Sequence, residues 1–115
     1  MSHDSIAKQK SMAFAKRIVR LYQYLITEHK EYVMSRQILR SGTSVGANIA
    51  EAIYGSSKKD FLAKIQIALK ECSETLYWLE LLNSCGYIPD DVYTSLFRDC
   101  DELRRILSST VKNSG

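Results

Sequence analysis

The chain has 115 residues, of which 45% are hydrophobic and 25% are charged, and this is the size and composition of one soluble globular domain spanning residues 1–115. No apolar run is long enough to cross a bilayer, and the N-terminal segment lacks the apolar core of a secretory signal. The three cysteines, an odd number without metal-ligand spacing, favour a reduced, cytoplasmic protein over a disulfide or zinc framework.

The net charge of +3 is unevenly distributed. Residues 1–50 contain eight Lys and Arg against three Asp and Glu, a balance of +5, whereas residues 51–115 contain eight against ten, a balance of −2. A basic half suggests an acidic partner, either nucleic acid or the acidic half of another copy, although a solvated surface with uneven charge is an equal alternative.

The spacing of apolar residues predicts two helices in the first half of the chain. The first is expected over about residues 5–27, where Phe14, Ile18 and Leu25 share one face. A polar joint follows, and the second helix is expected over about residues 32–54, with Gly55 as its C-terminal cap.

Two more helices are predicted in the second half. Ser57 and Asp60 resemble a capping box at the start of a helix over about residues 58–84. Gly86 and Pro89 then separate it from a helix over about residues 90–110, whose end is expected to fray from Ser108. Because the joints are short, the sequence predicts an all-α, antiparallel, up-down-up-down four-helix bundle.

The segment from Gly42 to Glu51 is the most unusual in the chain. Gly42 and Gly46 lie four residues apart inside a predicted helix, where each glycine costs about 1 kcal/mol relative to alanine. We therefore expect another backbone to approach closely there. Asn48 and Glu51, one turn apart beside the glycines, would then either bond a crossing segment or bind a partner or ligand.

Apolar residues on two faces of the helices suggest a contact beyond the bundle core. On a helical wheel of the third helix, Tyr77, Trp78 and Leu81 fall roughly opposite the main apolar stripe. Aromatic residues are enriched at protein interfaces, so these three residues are predicted to form an oligomer interface. The alternative is that a wide apolar arc reflects two neighbours in the bundle.

Recognisable catalytic patterns are missing from the sequence. Its two histidines have no nucleophile or metal-ligand partner at a suitable spacing, and Gly42 to Gly46 lacks the residues of a phosphate-binding loop. Glu71 and Glu74 are expected to be solvated surface residues. We therefore predict a protein that is not an enzyme and that needs no cofactor or metal.

The basic residues form a better candidate site. Tyr24 shares a predicted helix face with several of them, and phosphate contact and base stacking use such groups. The predicted nucleic-acid-binding residues are Lys16, Arg17, Arg20, Arg36 and Arg40.

The segment LRSGTSVGANIAEA, followed by YGSSKKDF and later by IQIALKECSETLYWLELLNSCGYI, resembles the proteins encoded in intervening sequences of bacterial 23S rRNA genes. The resemblance covers most of the chain, with Ala52 standing where the family commonly has glycine. It implies a four-helix bundle that tends to assemble as a ring, often a pentamer. The architecture is also similar to that of the accessory variability proteins of diversity-generating retroelements, which present a basic surface to nucleic acid.

These observations lead to one main functional hypothesis and two rivals. The main one is a self-associating bundle that binds RNA, or an RNA–protein complex, through its basic face, with no membrane partner. The first rival is a protein-interaction module that docks a partner through Tyr77, Trp78 and Leu81. The second is an enzyme or ligand binder centred on Asn48 and Glu51, which would require a pocket beside the two glycines.

Overall fold

The computed structural model describes residues 3–114, which form four helices and no strand. The helices are α1 (His3–Glu28), α2 (Met34–Ile53), α3 (Lys58–Ser84) and α4 (Asp90–Ser114). Each helix packs against the next along the chain, and α4 packs back against α1, within a body of 44 × 21 × 21 Å. The predicted all-α four-helix bundle is therefore confirmed.

The core runs along the bundle axis and receives apolar side chains from every helix. Its positions recur every three or four residues, as the apolar spacing of the sequence predicts. The largest fully buried aliphatic and aromatic side chains are Phe14, Ile18, Leu25, Ile38, Ile49, Leu79, Leu82, Leu103 and Leu107.

The first joint uses Glu31 to begin α2. Lys30 adopts a left-handed backbone conformation (φ 53°), which turns the chain after α1. The Glu31 carboxylate then accepts hydrogen bonds from the backbone N–H groups of Val33, Met34 and Ser35, at 3.2, 3.1 and 2.7 Å. These amides have no partner inside the helix, so Glu31 fixes the start of α2.

At the two later joints, Ser57 and Gly86 adopt the predicted cap and turn conformations, whereas Gly55 does not. The Ser57 side chain accepts a hydrogen bond from the Asp60 backbone N–H at 3.1 Å, as a capping residue should, and Gly86 is left-handed (φ 83°). Pro89 directly precedes α4 and accepts a bond from the Tyr93 backbone N–H. Gly55 is different, because α2 is capped by Tyr54 and Gly55 is not left-handed.

The expectation that α4 ends near residue 110 was wrong, since it continues to Ser114. Val111 lies one turn beyond the buried Leu107 and packs against the core, so the apolar stripe extends further than predicted. The Thr110 hydroxyl donates to the Ile106 carbonyl, and the Ser114 hydroxyl to the Thr110 carbonyl. Core contact therefore stabilises the turn that was expected to fray.

A buried polar contact joins α2 to α3. Ser41 and Thr75 are both fully buried, and their hydroxyl oxygens lie 2.9 Å apart. The Thr75 hydroxyl is also 2.7 Å from the Glu71 carbonyl oxygen. Because each hydroxyl carries one proton, Thr75 donates to that carbonyl and accepts from Ser41, which satisfies both groups.

The three cysteines are free thiols in two different environments. Cys72 and Cys100 are fully buried where α3 meets α4, with Cys100 Sγ 3.5 Å from the Cys72 carbonyl oxygen. The contact with Cys72 and burial raise the pKa of the Cys100 thiol. Cys85 is exposed at the C-terminal cap of α3.

Candidate nucleic-acid interface

The outer face of α1 is a cationic surface. Residues 5–27 include five Lys and Arg and no Asp or Glu. Lys16 and Arg20 are exposed, and they line one shallow depression together with Lys8, Gln9 and Met12. Among the side chains of residues 6–114, neither Lys16 nor Arg20 forms an ion pair, so their charges remain available to a partner.

Arg17 forms an ion pair with a carboxylate on α4. It lies one position from Lys16 but turns toward α4, where its Nη1 donates to Asp99 Oδ2 at 2.7 Å. Its side chain is only 33% exposed. Arg17 therefore joins two helices, and part of its charge is neutralised within the protein.

Arg40 is also engaged with carboxylates. It donates to Glu71 at 3.3 Å and to Glu74, both on α3. The hydrogen bond to Glu74 raises the pKa of Arg40 above its already high ordinary value. The expectation that Glu71 and Glu74 are solvated surface residues holds only in part, because both pair with Arg40 of α2 and the Glu71 side chain is only 15% exposed.

Arg36 is exposed at the N-terminal end of α2 and forms no ion pair within the described residues. The five predicted basic residues therefore do not form one site. Lys16 and Arg20 lie together on α1, Arg36 lies on another helix, and Arg17 and Arg40 link helices.

Tyr24, which the sequence places on the cationic face, is 39% exposed and also contacts His29. Its hydroxyl is hydrogen-bonded to His29 Nε2 at 3.1 Å, and its ring lies edge-on to the His29 ring. His29 in turn packs edge-on against Tyr87 from the α3–α4 joint. Sequence spacing missed this cluster because its members come from three separate segments.

The predicted interface residues on α3 differ in their exposure. Tyr77 is 55% exposed, whereas Leu81 is half-buried and Trp78 packs against the core. Trp78 Nε1 also donates to Glu74 Oε2 at 3.1 Å. The helical-wheel placement of Trp78 opposite the core was therefore wrong, since Trp78 packs against the core and bonds Glu74, the residue that also pairs with Arg40 of α2.

The two glycines on α2 allow α1 to approach closely. A Cβ atom at Gly42 would lie 2.8 Å from Ile18 Cγ1, and one at Gly46 would lie 3.1 Å from Ser11 Oγ. Both neighbours belong to α1, so the predicted close crossing is present, although side-chain atoms are the nearest neighbours.

Asn48 and Glu51 do not meet a crossing segment. Asn48 Nδ2 donates to the carbonyl and hydroxyl oxygens of Ser44 in its own helix, at 2.9 and 3.1 Å. The exposed Glu51 pairs with Lys64 on α3 at 2.8 Å. Asn48 therefore bonds within α2, and Glu51 joins α2 to α3.

No helix within residues 3–114 is long and apolar enough to span a membrane. Among residues 6–114, whose side chains the structure describes, no group of three or more His, Cys, Asp or Glu is arranged to hold a metal ion.

Comparison with known proteins agrees with this architecture. Residues 3–109 match the family described as 23S rRNA-intervening sequence protein. The chain belongs to this family. The chain is similar to a crystal structure of a protein of unknown function from the S23 ribosomal protein family of Bacteroides thetaiotaomicron VPI-5482. The two share 52% sequence identity, and their structures have a TM-score of 0.95. The similarity covers 96% of this chain and 99% of that one. No curated protein matches the sequence.

The resemblance stated from the sequence is thus confirmed for most of the chain. Ala52, at the position where the family commonly has glycine, is buried in the core, and α2 continues through it. Neither the family description nor the structural relative is named for a catalytic activity.

Proposed function

We propose that this protein is a non-enzymatic, self-associating bundle of the cytoplasm that binds RNA through the outer face of α1. The observation that carries the proposal is the pair of exposed cations, Lys16 and Arg20, on a helix without a carboxylate across residues 5–27. Cations attract a phosphate backbone, and the carboxylates that α4 brings to α1 pair with Lys10 and Arg17 instead of with these two residues.

The family membership supports RNA as the partner only through its description, which refers to an intervening sequence of 23S rRNA. Phosphate contacts would supply most of the affinity, so binding should depend strongly on salt and weakly on base sequence. Arg17 and Arg40 would contribute less than the sequence suggested, because Asp99, Glu71 and Glu74 already bind them.

Self-association would increase this weak binding. One α1 surface offers few cations, but several copies in a closed assembly bring several such surfaces to one RNA. Tyr77 is 55% exposed on the outer face of α3 and is the best candidate among the predicted interface residues for a contact with a second copy.

The RNA proposal is tested by fluorescence anisotropy with a labelled RNA hairpin at low and moderate salt. Replacing both Lys16 and Arg20 by Glu should weaken binding by at least about tenfold and lower the slope of log affinity against log salt by about two. Changing Lys58 and Lys59 to Glu is the matched control, because these exposed lysines at the start of α3 give the same change in net charge.

Equal losses in the two double variants would show that net charge, and not the α1 surface, controls binding. An unmodified protein that does not bind the hairpin at low salt would contradict the RNA assignment.

Self-association is tested separately by light scattering. We expect the unmodified protein to have the mass of an oligomer and Tyr77→Glu to reduce that mass. Trp78→Ala is a poor probe because Trp78 packs against the core, so its removal would also destabilise the fold. A monomer at all accessible concentrations would contradict this part of the proposal.

The exposure of Tyr77 also favours a second candidate function, the docking of a different protein. That function predicts an association that is insensitive to salt, is lost in Tyr77→Glu and is retained when Lys16 and Arg20 are changed. The same set of variants therefore separates the two functions.

A further inference from the structure

An apolar groove opens between α1 and α4, on the side of the bundle near the α3–α4 joint. Its volume is about 340 Å³, which is within the range of about 300–1,000 Å³ found for small-molecule sites. The apolar walls are formed by Leu21, Ile88, Pro89, Val92 and Leu96.

The groove lies next to one of the two ion pairs that join α1 to α4. Two ion pairs join these helices, Lys10 with Glu102 at 3.3 Å and Arg17 with Asp99 at 2.7 Å. Among the described side chains of residues 6–114, no ion pair joins the two helices beyond Arg17, toward the end of α1. In that region, apolar side chains line the groove between the two helices.

Two guanidinium groups lie at the edge of the groove. Arg20 is exposed and forms no ion pair within the described residues, and Arg17 uses only Nη1 on Asp99. A guanidinium group can bind a carboxylate through two parallel hydrogen bonds. The groove thus combines apolar walls with unused donors for an anion at one edge.

The Tyr24 ring forms part of the wall and is held in position. Its hydroxyl bonds His29, which packs against Tyr87, so a chain of three rings fixes one end of the groove. A wall that is already ordered costs little entropy when a ligand binds.

We propose that this groove binds a small amphipathic anion, an alkyl carboxylate, with its chain against Val92 and Leu96 and its carboxylate on Arg20. Charge complementarity at the edge and the apolar walls together favour this class over a neutral or a polar ligand. The groove shares Arg20 with the RNA surface, but its apolar walls lie outside that surface, so variants of the residues that the two sites do not share can separate them.

The probe is octanoate, measured by isothermal titration calorimetry on the full chain, with 1-octanol as the neutral ligand of the same chain length. We expect one saturable octanoate site per chain and weaker binding of 1-octanol. Arg20→Ala should weaken octanoate binding by about tenfold, the effect of losing a charged hydrogen bond, and should leave 1-octanol unchanged.

Three further variants separate this site from the RNA surface. Val92→Trp fills the groove and should abolish octanoate binding while RNA binding persists. Lys16→Glu should weaken RNA binding and retain octanoate. Arg36→Ala, which removes an exposed arginine from α2, should bind octanoate like the unmodified protein.

Methyl-group NMR on the unmodified protein tests the location without any variant. Octanoate should shift the methyl signals of Ile88, Val92 and Leu96 first. Absence of saturable binding, equal affinity for 1-octanol, or shifts confined to other methyl groups would each overturn the proposal.

Discussion

The contacts of α2 and the contact between α1 and α4 represent two ways of joining helices in one bundle. Along α2, glycines let α1 approach closely, and the fully buried Ser41–Thr75 hydrogen bond joins α3. Between α1 and α4, partly exposed ion pairs hold one end, and an apolar groove opens at the other. Tightly packed contacts fix the fold, whereas the open contact leaves surface for a ligand.

The largest expected effect comes from filling the close crossing of α1 and α2. Gly42→Ala places a methyl group within 3 Å of two Ile18 carbons, and the branched, fully buried Ile18 has little freedom to move. Overpacking costs about 1–3 kcal/mol and better helix propensity returns about 1 kcal/mol, so we expect a net loss of about 2 kcal/mol at most. Urea unfolding measures the change.

Gly46→Ala is the matched control in the same helix. Its new methyl group would meet the Ser11 hydroxyl at 3.1 Å, a wider spacing than at Gly42, although moving that hydroxyl would disturb its bond to the Lys8 carbonyl. We therefore expect a smaller loss than at Gly42. A stabilised Gly42→Ala protein would show that the crossing is not tightly packed.

A smaller loss is expected from removing the buried hydrogen bond between α2 and α3. Thr75→Val keeps the shape of the side chain but leaves the Ser41 hydroxyl with only a longer, 3.5 Å contact to the Ile38 carbonyl, at a cost of about 1 kcal/mol. The double variant with Ser41→Ala should lose less than the sum of the two single variants. Additive losses in urea unfolding would contradict the coupling.

At the open contact, Arg17→Gln should change stability by less than about 1 kcal/mol, because its pair with Asp99 is partly exposed and screened by salt. Thermal unfolding at low and high salt should show that even this difference shrinks as salt rises. A larger, salt-independent loss would mean that the ion pair supports the fold as strongly as the buried contacts do.

The smallest expected effect is a change of tryptophan fluorescence with pH. The hydrogen bond from Trp78, followed by the contacts with Arg40, lowers the pKa of Glu74 from its ordinary value of 4.5. The stability from these contacts is therefore complete above about pH 4.5 and is lost as the pH falls through the lower, folded-state pKa.

Trp78 is the sole tryptophan, so its fluorescence reports this titration directly. The signal should change below pH 4.5 in the unmodified protein and stay constant over that range in Glu74→Gln. An unchanged titration in the variant would assign the signal to another carboxylate.

Much of the fold could be predicted from the sequence because the determining signals are local. Apolar spacing indicates four helices, Gly86 marks a left-handed turn, and Ser57 marks the start of α3. The end of α4 was not predicted, because the polar residues around Ser108 obscure the contact of Val111 with the core.

The candidate site was less predictable because its chemistry depends on partners from other helices. Arg17 and Lys16 are adjacent in sequence, yet only Arg17 meets a carboxylate on α4. Trp78 was misplaced for a similar reason, since a wheel drawn for one helix does not show which neighbouring helices widen its buried face. The apolar groove could not be inferred from spacing at all, because it depends on how far apart two helices lie.

The distribution of the cysteines has a practical consequence for counting subunits. Because Cys85 is exposed while Cys72 and Cys100 are buried, a maleimide dye should attach once per folded chain. Stepwise photobleaching of single labelled particles would then give the number of chains in each assembly, with no substitution needed. Attachment of further dye molecules would signal unfolding, since the two buried thiols become reactive only when α3 and α4 separate.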